Sequence, residues 1–282
     1  MSEYAAVLRP LTDRYASWLS LPDRATADTS EEDPDNVVLL PVVLRIERDT
    51  PPGRTALLEA SAAAAVAVCL DQRSEPGGPW HEAVSGWVDG RIRKVTRRAR
   101  GSHWRAVTEL PGITVGVAGA EARALLPARV ADMPRELTRL QISGSDLPAD
   151  DPGPPPAATP VLWLNPHVGM TAGKAAAQVG HATMILAALL HGDASRSDAV
   201  GEHAASELRH WHEAGFPCAV RTPDTDTWPA LLPGDDPAAA WRDRGVAAVR
   251  DAGFTEIDPG TVTVVAQWSS SPQCSRATQW SH

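Results

Sequence analysis

The sequence predicts an α/β protein made of two tandem three-layer α/β/α domains, each with a small mixed sheet. Three observations predict it. Short apolar strands alternate with Ala-rich helices, the pattern of a mostly parallel or mixed sheet flanked by helices. The same strand–loop–helix order occurs twice, with Pro41 aligning on Pro160 and Leu70 on Leu189 without a gap. Between the repeats lies Ser143–Pro160 (SGSDLPADDPGPPPAATP), whose consecutive prolines hold an extended backbone with nothing apolar to pack. The expected division is therefore a domain over 1–142, a linker over 143–159 and a second domain over 160–282.

Each element has a local reason. Pro41-Val-Val-Leu-Arg-Ile is a short apolar run that reads as a strand, followed by a Pro/Gly loop and an Ala-rich helix from about Thr55 to Leu70. Pro160-Val-Leu-Trp-Leu, a loop through Gly169 and Gly173, and an Ala-rich helix from Lys174 to about Leu190 repeat that order. Further on, Trp87 and Val95 match Trp211 and Val220, each followed by a tryptophan, Trp104 or Trp228. LPGITVGVAG (Leu110–Gly119) then lies over DAGFTEIDPG (Asp251–Gly260). An extra helix, about Pro237 to Asp251, is expected in the second half only, and Leu21–Asn36 reads as a connector rich in Asp, Glu, Pro and Thr.

Composition narrows the class. The chain has 282 residues, 43% hydrophobic and 22% charged, which is enough to bury a core and is inconsistent with general disorder. Three separated cysteines, Cys69, Cys218 and Cys274, exclude a disulfide framework and a Cys-rich zinc module, and fit a reducing compartment. A net charge of −9 argues against a simple nucleic-acid coat. Met1–Tyr15 has no apolar stretch, so no signal peptide is expected, and the apolar run Ala60–Leu70 is too short for a span of roughly 20 residues. A soluble, cytoplasmic protein without membrane contact is expected.

The chemistry concentrates in Gly169–Leu190. Lys174, Gln178 and His181 stand at i, i+4 and i+7, one polar stripe on an otherwise small and aliphatic helix. The flanking glycines Gly169 and Gly173 let backbone approach a ligand, and the helix N-terminus favours an anion or a developing oxyanion. Of 26 Lys and Arg residues only two are lysine, Lys94 and Lys174. A compact ammonium kept at a helix mouth in so arginine-biased a chain points to a use for it.

MTAGKAAAQVGHA (Met170–Ala182) resembles the signature of the type-2 peptidyl-tRNA hydrolase family. DAGFTEIDPGTVTVVA (Asp251–Ala266) resembles that family's second motif, and the two occur in the family's order. The resemblance covers about 160–268. It implies a compact α/β/α domain with a mixed sheet, hydrolysis of the ester joining a nascent peptide to the terminal ribose of tRNA, no metal or organic cofactor, and frequent dimerisation. Carried over by position, the family's functional residues fall on Lys174, Gln178, Asp251, Thr255 and Thr263, with His181 as the motif's histidine; Gly173 and Gly253 are substrate-contact candidates. Asp251, helped by His181, would orient or activate water. Lys174 and Gln178 would supply charge and an amide donor, and Thr255 with Thr263 would orient the ester or ribose. The sequence departs from the motif at Phe254, where a basic residue is usual, and at Glu256, where glutamine is common.

On the gap-free match Lys174, Gln178, His181 and Asp251 correspond to Thr55, Glu59, Ala62 and Leu110, with Thr114 opposite Thr255, so the first half reads as a degenerate, non-catalytic copy. It also carries RIRKVTRRARGSHWR (Arg91–Arg105), seven Lys/Arg with no acid and with Trp87 and Trp104 close by. Arg93, Lys94, Arg97 and Arg98 are therefore candidates for RNA contact, with the tryptophans as stacking platforms or core. His203, Glu207 and His210 share a helix face, but no second ligand set accompanies them, so no metal is expected. The expected partner is peptidyl-tRNA, handled by a monomer with pseudo-dimeric halves or by a homodimer. The rival expectation is a non-catalytic RNA- or protein-binding module that keeps the fold.

Overall fold

A computed structural model of the chain describes residues 5–30, 32–33, 36–142, 144, 146–254 and 256–268. The first sheet comprises β1 (Val38–Arg45), β2 (Lys94–Ala99), β3 (Gly112–Val117) and β4 (Ala120–Leu125) in the order β2-β1-β4-β3, with the short β5 (Ala128–Arg129) beside the start of β1. β1 and β2 are parallel, while β4 runs antiparallel to β1 and to β3. The second sheet comprises β6 (Val161–Leu164), β7 (Ala219–Arg221), β8 (Val246–Arg250) and β9 (Val262–Gln267) in the order β7-β6-β9-β8, with the same senses. The sheets are thus mixed, as expected, and share one topology.

The helices follow from where apolar residues fall. α1 (Arg9–Ser20) and the single turn α2 (Asp23–Thr26) precede the first sheet; α3 (Arg54–Leu70), α4 (His81–Asp89), α5 (Gly101–Thr108) and α6 (Arg135–Thr138) surround it. α7 (Ala172–Ala194), α8 (Ala199–Glu213), α9 (Trp228–Leu231) and α10 (Pro237–Arg244) surround the second. Strand alternation sorts the layers. Val42 and Leu44 of β1, Ala247 and Val249 of β8, and Val264 and Ala266 of β9 face one core shared by both halves, into which α3 and α7 are sunk. Val43 faces an outer cluster with Trp104, Val107, Leu137 and Leu140 from α5, α6 and the residues after α6, and Val265 an outer cluster with Trp228 and Ala240 from α9 and α10.

Small residues let α3 and α7 lie directly together. Thr183 donates to Ala62 O at 2.7 Å and Ser61 to Ala176 O at 3.3 Å across the seam, both buried. Gly180 is needed there, because a Cβ would stand 3.0 Å from Ala65 Cβ. The arrangement is reciprocal: α7 also meets β2 of the first half, and α3 meets β7 of the second. Trp87 donates to Arg93 O at 3.0 Å and Trp211 to Pro217 O at 2.8 Å, the same indole bond six residues downstream in each half.

Several expectations need correction. LPGITVGVAG is strand β3 itself with the start of its turn, whereas DAGFTEIDPG is the loop after β8; the structural counterpart of β3 is Val246–Arg250. The first half therefore closes that hairpin with only Ala118-Gly119, and Thr114 sits inside a strand, accepting from Arg123 at 2.7 Å, not opposite Thr255. The helix expected over Pro237–Asp251 ends at Arg244, where Gly245 adopts φ 62 and β8 begins; α5 fills the matching place in the first half. Gly173 lies in the first turn of α7, not in a loop before it. Along the linker, Leu147 is buried in the shared core and Asp150 accepts from Thr55 N and Oγ1 (3.0 and 2.5 Å) at the start of α3. Ser269–His282, including Cys274, lies outside the described residues.

α1 straddles the halves. Arg14 donates to Val88 O at the end of α4, Thr12 to Ala188 O of α7 at 2.6 Å, and the Tyr15 hydroxyl accepts from Ala248 N on the edge strand β8 at 2.8 Å. Because one core serves both halves, denaturant unfolding is expected as a single transition. Gly180→Leu, which overpacks the seam, is expected to lower stability by about 1–3 kcal/mol. Two separable transitions in the wild-type chain would contradict the shared core.

Candidate active site

α7 presents its polar stripe because Thr171 starts the helix: its hydroxyl accepts from Lys174 N at 3.2 Å. Glu256 closes the front of that turn, accepting from Thr171 Oγ1 at 2.8 Å and Thr171 N at 3.2 Å. Opposite, β8 ends at a register irregularity between Val249 and Arg250, which re-aims the chain into the 251–261 loop. Asp251 pins both ends of that loop, donating its N–H to Thr261 O at 2.8 Å and accepting from Gly260 N at 2.9 Å. Arg250 anchors the same corner on the end of α1, through Trp18 O (3.3 Å), Leu19 O (3.2 Å), Leu21 O and Asp23.

The loop and the helix meet at one carboxylate. Lys174 Nζ lies 2.5 Å from Asp251 Oδ2, and Gln178 Nε2 donates to the same oxygen at 2.7 Å. Gly253 N donates to Oδ1 at 2.7 Å. That bond needs φ +79 at Gly253, where a Cβ would also run within 2.7 Å of Pro259. Thr263, from β9, donates to Gln178 Oε1 at 2.6 Å and so fixes which way the amide points. The side chains of Lys174 and Asp251 are 11% and 4% exposed, and Thr263 is fully buried. A charge pair this enclosed needs further hydrogen bonds on its carboxylate, and the amide and the backbone N–H supply two of them.

Residues 159–270 match the family model of Peptidyl-tRNA hydrolase PTH2. The matched segment is the second half of the chain and includes every member of this network. No significant match was found among curated proteins or among solved structures.

Of the residues singled out from sequence, Lys174, Gln178, Asp251, Thr263 and Gly253 converge in the PTH2 region. The hydroxyl of Thr263 is committed to Gln178 Oε1 and, at 3.4 Å, to Val249 O. Thr255 lies outside the described residues. His181 is drawn elsewhere: its Nδ1 lies 2.9 Å from Lys94 Nζ of the first half, and it is not among the partners of Asp251. Burial and the cations of Lys94 and Lys174 hold His181 well below the usual imidazole range. Glu59, matched in sequence to Gln178, likewise faces the other half, accepting from Val220 N at 3.0 Å and Arg221 at 3.1 Å.

Part of the basic run is tied to partners within the protein, while Arg100 and Arg105 are exposed. Arg91 and Arg93 pair with Glu32, Arg97 donates to Leu140 O at 2.8 Å, and Arg98 to Gln141. Trp87 (2% exposed) and Trp104 (6%) are core and offer no face to a base. Among the described residues no group of three or more His, Cys, Asp or Glu is placed to hold a metal ion, and no helix is long and apolar enough to cross a membrane. A polar hollow of about 610 Å³ at the ends of β1 and β2, lined by Arg48, Arg100 and His103 among others, belongs to the first half and is separate from the network.

The place of Lys94 beside α7 is what the sequence does not give; the scarcity of lysine is the one signal that sets it apart. Burial lowers Lys94 from 10.5 to about 7. Between those values the unfolded chain binds the proton that the folded chain has released, so stability rises with pH across the window and is lost as pH falls through it. Lys94→Met is accordingly expected to cost less stability at about pH 6 than at about pH 9.5, measured by denaturant unfolding. An equal cost at both would contradict the burial of this ammonium.

Proposed function

We propose that the PTH2 region hydrolyses the ester between a peptide and the terminal ribose of tRNA, as its family match suggests. The observation that carries this reading is the meeting of Lys174, Gln178 and Asp251 at one carboxylate oxygen. A carboxylate has about four acceptor positions. Among the described residues three are taken, by Lys174, Gln178 and Gly253, and we place a water on the remaining position of Oδ1. In this proposal Asp251 orients that water toward the acyl carbon, and the Lys174 ammonium stabilises the carbonyl oxygen as it gains negative charge. Gln178, locked by Thr263, keeps Asp251 aimed. One proton of the water is released to solvent past Asp251 and the other passes to the leaving ribose oxygen, so the peptide departs as its carboxylate and the ribose as its hydroxyl.

A further part of the proposal is that the first half is a degenerate copy of the same fold, standing where a second subunit would otherwise pack. The chain would then act as a monomer with pseudo-dimeric halves, in the translation machinery of the cytoplasm. The shared strand order and the repeated indole bonds support it. The rival, a non-catalytic binding module, draws on the burial of Asp251, which suits a purely structural network, and on the acidic composition of residues 151–282, with 8 Lys/Arg against 14 Asp/Glu.

Release of tRNA from an N-blocked aminoacyl-tRNA by the purified full chain separates the two. Turnover is expected, with Lys174→Met and Asp251→Asn each lowering kcat/KM by about 10²–10³. Folded protein without turnover, or variants within a factor of about three of wild type, would favour the binding module.

A further inference from the structure

Two consecutive residues of the first half reach the two elements that form the network. Lys94 touches His181, three residues beyond Gln178 on α7. The guanidinium of Arg93 stands 4.5 Å from the centroid of the Phe254 ring, three residues beyond Asp251 in its loop. Both contacts are built. The Lys94 stem runs beside Gly180, where a Cβ would stand 3.3 Å from Lys94 Cε, and its ammonium lies 5.1 Å from the centre of the Trp87 ring. Trp87 is held in turn by its bond to Arg93 O. Arg93 is fixed on its other side by Glu32 at 2.6 Å.

We infer that Lys94 is a positioning residue for the site in the second half: by donating to His181 Nδ1 it holds that imidazole in the Nε2–H tautomer and anchors α7 against the first half, while Arg93 steadies the Asp251 loop. The inference rests on the hydrolase reading for its kinetic consequence and not for its structural one. An ammonium has only donors, so the imidazole nitrogen facing it must accept, and the ring proton is left on Nε2. The groups facing Lys94 are His181 on α7, with Lys174 farther along that helix, Cys69 on α3 and the Trp87 ring on α4. Among the described residues no carboxylate is one of them. The low protonation tendency of His181 agrees with a neutral ring beside a cation. In a chain that otherwise uses arginine, a slender ammonium is what fits alongside Gly180.

Nitrogen-resolved NMR of the His181 ring in the full chain at about pH 6 tests this without substrate. Wild type is expected to show one neutral tautomer with the proton on Nε2. Lys94→Met, which keeps the stem and removes the donor, is expected to release the ring into a mixture of tautomers and to raise its titration midpoint toward the ordinary imidazole value. On peptidyl-tRNA the same variant is expected to lower kcat/KM by roughly 10-fold to 100-fold, the range that misplacement remote from the chemistry produces. Lys94→Gln, a neutral donor, is expected to restore the tautomer in part. A wild-type ring protonated on Nδ1 overturns the inference whatever the variants do, as does a ring in Lys94→Met that matches wild type. If wild type shows the expected tautomer but no turnover, the hydrolase reading fails and the positioning contact stands.

Discussion

The Lys174–Asp251 contact is the interaction on which the second half is organised. It joins the first turn of a helix to a loop 77 residues away and does so almost out of water. Enclosed charges cost more in lost hydration than their attraction returns unless hydrogen bonds complete them. The neighbouring features can be read as meeting that requirement. The irregularity at the end of β8 turns Asp251 toward α7, the positive φ of Gly253 brings a backbone donor onto Oδ1, and Thr263 commits the Gln178 oxygen so that its amine faces the carboxylate. Arg250, gripped by the end of α1, stops this corner from swinging.

The first half is bound into the same arrangement. α3 and α7 are small-residue helices that can approach only because neither carries bulk at the seam, and each also lies on the edge strand of the other half. The polar contacts across that boundary are reciprocal in place and different in kind: His181 with Lys94 on one side, Glu59 with Arg221 on the other. The halves diverge most at the hairpin after β3 and β8. One is a bare turn; the other is the eleven-residue loop that carries Asp251. Shared topology with an unshared loop is consistent with the proposal that the first half is a copy without the catalytic loop.

Much of this was legible in the sequence. Helical periodicity alone placed Lys174 and Gln178 on one face, because residues four apart must share it. Asp251 was reachable only through motif resemblance, since nothing local ties it to residue 174. The gap-free alignment went wrong at LPGITVGVAG because a glycine-punctuated strand and a glycine-punctuated loop look alike until pairing partners are known. A count of cations in the arginine run likewise does not show that Glu32, Leu140 O and Gln141 receive several of them. That α1 bridges both halves rests on Thr12, Arg14 and Tyr15 meeting partners far along the chain, which no local pattern shows.

A double-mutant cycle between Lys174 and Asp251 on ester hydrolysis tests the central claim most directly. If the two side chains act as one unit, Lys174→Met combined with Asp251→Asn will cost little more in kcat/KM than either change alone. Losses that simply multiply in the double variant would mean that the ammonium and the carboxylate work independently, and would contradict the account.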